Sequence, residues 1–109
     1  MTNEEICYAI ERIEHMEKMF DDAQNIFSND KSAIDNPSFQ KKMSFLTQYM
    51  ESGQWLRDFS LDEKGLLPKD LKRGILSEDG LYNFICDVEH EKQKKSHPIK
   101  AFFSKFFNK

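Results

Sequence analysis

The stretch NEEICYAIERIEHMEKMFDDAQNIFSN, residues 3–29, decides the fold. Ile6, Ile13, Phe20 and Phe27 recur every seven residues, and Ala9, Met16 and Ala23 stand three positions after the first three of them. This spacing keeps apolar side chains on one side of a helix for nearly four heptads. Ile10, Met19 and Ile26 widen the stripe, which suits a helical bundle better than a narrow two-stranded seam. Thr2 or Asn3 supplies a cap, and Glu4 and Glu5 complement the positive end of the helix dipole. A single helix from about Asn3 to about Asn29 is expected.

Outward from that helix, residues 29–36 read as a polar connection. Asn36 then caps a second helix with Pro37 at its first position. Phe39, Met43, Leu46 and Met50 give the second helix its stripe, and Ser52 and Gly53 stop it. So short a connection predicts an antiparallel hairpin. Trp55, Leu56 and Phe59 predict a further turn or two of helix that pins a loop to the bundle, with Trp55 as an anchor. Segment 61–80 holds three of the four glycines and charges of both signs. Within it, Pro68 and Gly74 bracket an expected helical stretch at 69–73. Ser77 is expected to cap a last helix with Glu78 and Asp79 in its first turn, buried along Leu81, Ile85 and Val88 with Phe84 beside them, and ending near Lys92. The fold class is therefore all-α: a small helical bundle built on an antiparallel hairpin, with an irregular charged segment and a C-terminal amphipathic helix.

The chain has 109 residues and a net charge of −3, unevenly distributed. Residues 1–91 carry ten Lys or Arg against all 19 Asp or Glu, a net of −9, while 92–109 carry six Lys and no acid. We accordingly divide the chain into a single helical domain, 1–91, and a basic, Phe-rich extension, 92–109. An acidic body argues against nucleic acid as a partner, because that affinity needs a continuous cationic surface. The longest apolar run, residues 6–10, is far short of a membrane span. The acids at Glu4, Glu5 and Glu11 do not suit a secretory signal, so the cytoplasm is the expected compartment. There Cys7 and Cys86, which lack redox or zinc spacing, are expected as buried free thiols.

Tyr49, Ser52, Gly53 and Trp55 are followed by Asp58, Asp62, Glu63, Gly65, Leu67 and Pro68. Next come Asp70-Leu71-Lys72-Arg73-Gly74, Leu76-Ser77-Glu78-Asp79-Gly80 and Tyr82. This pattern, with Arg12-Ile13-Glu14 and Met16-Glu17 ahead of it, resembles the bacterial domain of unknown function 4298 family. The resemblance spans residues 6–88 and is most specific at DLKRG and LSEDG. It implies a small, mostly helical bacterial protein of the cytoplasm and brings no activity, substrate or catalytic residue with it.

For function, the residues themselves favour a non-enzymatic protein-binding module, immunity- or antitoxin-like, whose partner is an unidentified protein. Its candidate contact residues are Trp55, Asp58, Asp62, Glu63, Asp70, Lys72, Arg73, Glu78, Asp79 and Tyr82. Structurally, Lys72 and Arg73 are expected to pair with Asp58, Asp62 or Asp70, with Arg73 as hub because of its planar fork. Trp55, Asp70, Arg73 and Tyr82 are expected in one ordered cluster.

The alternative is peripheral association with an anionic inner-membrane surface through the extension. There Ile99, Phe102, Phe103, Phe106 and Phe107 share a helical face, and Lys100 and Lys105 supply charge. Packing of that helix on its own bundle, or its exchange between two copies, are the other fates, so monomer and homodimer both stay open. A metal-dependent enzyme using the carboxylates is the least favoured reading. No calcium loop, P-loop, GxSxG or GxGxxG pattern occurs, and no catalytic residue, metal ligand or cofactor is assigned.

Overall fold

A computed structural model describes residues 2–77 and 79–95; Ile99, Lys100, Phe102, Phe103, Lys105, Phe106 and Phe107, the expected docking face of the extension, lie outside the described residues. Four α-helices follow in order: α1 (Asn3–Asn29), α2 (Pro37–Glu51), α3 (Gln54–Glu63) and α4 (Gly80–Lys95). Two short 3-10 helices, Lys31–Asp35 and Gly74–Leu76, link them, and no strand occurs among the described residues.

The expected ends of α1 are met. Thr2 Oγ1 accepts from the Glu5 N–H at 3.1 Å, and Ala9, Ile13, Phe20, Ala23 and Phe27 are buried. Asn36 Oδ1 accepts from the Ser38 N–H at 2.8 Å and Pro37 opens α2. The hairpin is antiparallel: Phe27, late in α1, stacks on Phe39, early in α2, with ring centroids 6.1 Å apart. Phe84 of α4 meets both Phe20 and Phe27 edge-on at 5.6 and 5.9 Å, so aromatic packing ties α4 across the hairpin.

Several expectations are corrected. The connection at 29–36 is itself a 3-10 helix that buries Ile34. The Trp55 segment is a ten-residue helix, longer than the turn or two expected. Residues 69–73 are not helical. Leu71 N–H reaches Pro68 O in one isolated turn, and the Arg73 side chain also donates to the Pro68 carbonyl and to that of Leu71.

The last helix begins at Gly80, since its first bond runs from Asn83 N–H to Asp79 O at 2.8 Å, so Ser77 stands ahead of the helix and does not cap it. Instead the Ser77 N–H closes the preceding 3-10 turn on Gly74 O. The helix runs past Lys92 to Lys95, and Ile85 is only partly buried beside the fully packed Leu81, Phe84 and Val88. Cys7 and Cys86 are both exposed, not buried. Each occupies a helical position turned away from its own buried stripe, and register outweighs the general tendency of cysteine to be interior.

Candidate functional site

Segment 64–77 has almost no regular structure, yet side chains from two helices hold it in place. It leaves α3 through a glycine-dependent turn: Gly65 adopts φ 72°, Gly65 N–H reaches Asp62 O and Leu66 N–H reaches Leu61 O. Those two bonds form a Schellman motif, for which a left-handed residue is required. Arg73 then gathers the loop. Its guanidinium donates to Asp62 of α3 and to Pro68 O, and its Nε donates to Leu71 O at 3.2 Å.

Just beyond it, both backbone groups of fully buried Ile75 are satisfied by side chains from different helices. The N–H donates to Glu17 Oε1 of α1 at 2.7 Å, and the carbonyl accepts from Trp55 Nε1 of α3, also at 2.7 Å. Gly74 packs closely here: a Cβ would sit 3.2 Å from Glu17 Oε2, so a larger residue would require that carboxylate to shift by a few tenths of an ångström. Trp55 also stacks on Phe59, centroids 5.0 Å apart.

Below this segment lies a buried polar knot. Asp58 is fully buried and accepts from Arg12 Nε at 2.9 Å, from Arg12 Nη2, and from the Tyr49 hydroxyl at 2.6 Å. One carboxylate thus joins α1, α2 and α3. The bond to Asp58 raises the Arg12 pKa above its ordinary value against the opposing effect of burial. Burial, reinforced by the bond to Asp58, pushes the Tyr49 phenol far above the usual tyrosine value. Both groups are held in their protonated forms, and their bonds to Asp58 tie the three helices together.

Beside this segment, a groove of ≈ 450 Å³ lies open between α1 and residues 68–72. Ile10, Pro68 and Leu71 supply its apolar surface, with Glu14, Glu17, Lys18, Asp21, Asp70 and Lys72 around them. Lys72 crosses to Asp21 of α1 in an ion pair, its side chain still 72% exposed. Among the described residues, no group of three or more His, Cys, Asp or Glu is arranged to hold a metal ion.

Residues 13–95 match the model of a family described as a domain of unknown function, DUF4298. The chain belongs to that family. No curated protein and no solved structure matches it. The match takes in α1 from Ile13 onward and everything through the end of α4, so Glu17, Asp58 and the Arg73 hub all fall inside the DUF4298 domain.

Of the residues proposed from sequence as contacts, the DUF4298 fold brings Asp62 and Arg73 together and sets Asp70 and Lys72 on the groove. Trp55 is half-buried as an anchor, and Glu63 is exposed at the end of α3. Asp58 pairs with Arg12 and not with Lys72 or Arg73, and its burial removes it from any surface. Asp79 is exposed at the entry to α4, while Glu78 lies outside the described residues. Tyr82 is 58% exposed on α4, where hydrogen bonding with Cys86 raises its phenol pKa, and it does not line the groove.

Glu14, Glu17, Lys18 and Asp21 were not anticipated. Glu17 did leave a signal: it sits four residues after Ile13 and three before Phe20, a carboxylate on the buried stripe. Such a position calls for a buried donor.

Proposed function

We propose that this DUF4298 chain is a non-enzymatic protein-binding module whose contact surface is the groove between α1 and residues 68–72. The observation that carries this reading is the contrast between the ties and the tips of the segment. Arg73, Glu17 and Trp55 consume the segment's awkward backbone groups, while Asp70 and Lys72 are left exposed on a preformed, irregular surface. An ordered loop without secondary structure is costly to maintain unless its shape is used, and rigid presentation lowers the entropy lost on binding.

Of the groove's carboxylates, Asp21 is paired with Lys72 and buried Glu17 accepts from the Ile75 N–H, which leaves exposed Glu14 and Asp70 with Lys18 as the remaining cation of the lining. A partner's Arg or Lys fits this balance, its stem on Ile10 and Leu71 and its head among the acids. The acidic body, net −9 over residues 1–91, supports an inhibitor-like role of the immunity or antitoxin kind against a basic partner surface.

The test is site-specific photo-cross-linking in the native host, with the cross-linker at position 70 or 72 and a control at exposed position 48. One stoichiometric protein captured from 70 and 72, absent from 48 and lost in Arg73→Ala, is the expected result. Equal capture from all three positions, or none from the groove, would refute the reading.

A further inference from the structure

Lys18 forms the rim of a second groove, on the outer seam of the α1–α2 hairpin, with a different character. From α1 it takes His15, Lys18, Met19 and Asp22; from α2 it takes Ser38, Lys41, Lys42 and Phe45. Each set follows the i, i+3, i+4, i+7 spacing of one helical face, so the antiparallel hairpin lays two matching two-turn stripes side by side. Met19 is partly buried against the core, and Phe45 is 41% exposed. The volume enclosed is ≈ 280 Å³, room for an apolar side chain or two and too little for a sizeable cofactor.

The charge here runs against the rest of the domain. Residues 1–91 have nearly twice as many acids as bases, yet this groove sets three lysines against the single carboxylate of Asp22. The ion pairs of the described residues employ Arg12, Lys72, Arg73 and Lys92, so Lys41 and Lys42 enter none of them, and Lys18 is shared with the lining of the first groove.

We infer that this groove docks an acidic amphipathic helix of a partner protein, with a Leu or Phe resting on Met19 and Phe45 and its Asp or Glu residues reaching the lysine rim. Two turns span about 10 Å, which matches the length over which the two quartets run. A deformable Met floor suits a side chain inserted from a partner. A groove with Met19 only partly exposed suits an inserted side chain of a partner better than a flat lipid surface, on which surface-lying proteins put their apolar groups foremost. The site is separate from the α1/68–72 groove except for Lys18, and the inference stands whether or not that groove binds a protein.

The experiment is selection of a displayed random-peptide library on the full chain, followed by titration of the enriched peptides. The same titrations are run on Lys41→Glu/Lys42→Glu and on Asp70→Lys. Among the described residues neither Lys41 nor Lys42 has an ion pair to lose; should the Glu pair melt early, Lys41→Gln/Lys42→Gln replaces it. The expected result is enrichment of peptides with Asp or Glu flanking Leu or Phe. Their affinity should fall about tenfold in the α2 variant, weaken with added salt, and hold in Asp70→Lys. Peptides without acidic bias, or affinity unchanged by the α2 variant, would overturn the inference. So would vesicles of anionic phospholipid, or a second copy of the chain, binding through Lys41 and Lys42 in their place.

Discussion

Removing the Asp58 carboxylate tests how much of the domain's stability passes through a fully buried charge. In Asp58→Ala the Tyr49 hydroxyl, buried against α3, loses its acceptor, a cost of about 1–2 kcal/mol. The Arg12 guanidinium loses both of its bonds. Stranding one partner of a buried pair costs about 3–5 kcal/mol, but the Arg12 side chain is 23% exposed and water can reach it, which brings its share to roughly 2 kcal/mol. The total of about 3–4 kcal/mol is a large part of the 5–15 kcal/mol expected for a domain of this size. It corresponds to a fall in Tm of roughly 15–25 °C.

Urea unfolding followed by circular dichroism measures the loss directly. A double-mutant cycle with Arg12→Ala separates the pair from its surroundings. Tyr49→Phe alone, which deletes one bond and strands no charge, should cost only about 1 kcal/mol. A loss below about 1 kcal/mol for Asp58→Ala, or strictly additive effects of Arg12→Ala and Asp58→Ala, would show that the three helices are not joined through this carboxylate.

Glu17→Ala leaves the buried Ile75 N–H without an acceptor and should cost about 1–3 kcal/mol, with fast amide exchange at Ile75; Glu17→Gln, which keeps an acceptor oxygen, should recover most of it. Because the Tyr49 pKa is raised in the fold, chiefly by burial, the folded state holds that proton more tightly than the unfolded chain. Its contribution is therefore complete below the ordinary tyrosine value of about 10 and is lost as pH rises above it, so alkaline stability should fall less steeply in Tyr49→Phe than in the parent. Cys7 and Cys86, both exposed, should react with a thiol reagent in the native protein as fully as in denaturant; protection of either would contradict its placement.

Much of the fold was legible because helix formation is local. Residues three and four apart set the faces of α1 and α2, Thr2 and Asn36 cap them, and Pro37 and Gly53 punctuate the chain; each signal acts within a turn of where it lies in sequence. The choice of Arg73 as hub was legible for a related reason: its carbonyl partners at 68 and 71 are neighbours, and Asp62 is only eleven positions away.

What the tertiary structure decided is where distant groups compete for the same bond. Arg12 lies 46 positions from Asp58, and nothing in the spacing distinguishes it from Lys72 or Arg73 as the partner; only the antiparallel closure of α1 on α2, with α3 folded beneath, selects it. The helix expected at 69–73 gave way to one at Gly74–Leu76 for the same reason. The Arg73 side chain donates to the Pro68 and Leu71 carbonyls at the first, and Glu17, 58 residues away, supplies the acceptor beside the second. Intrinsic preference writes the helices, and long-range partners with buried groups to satisfy determine the course of the chain between them.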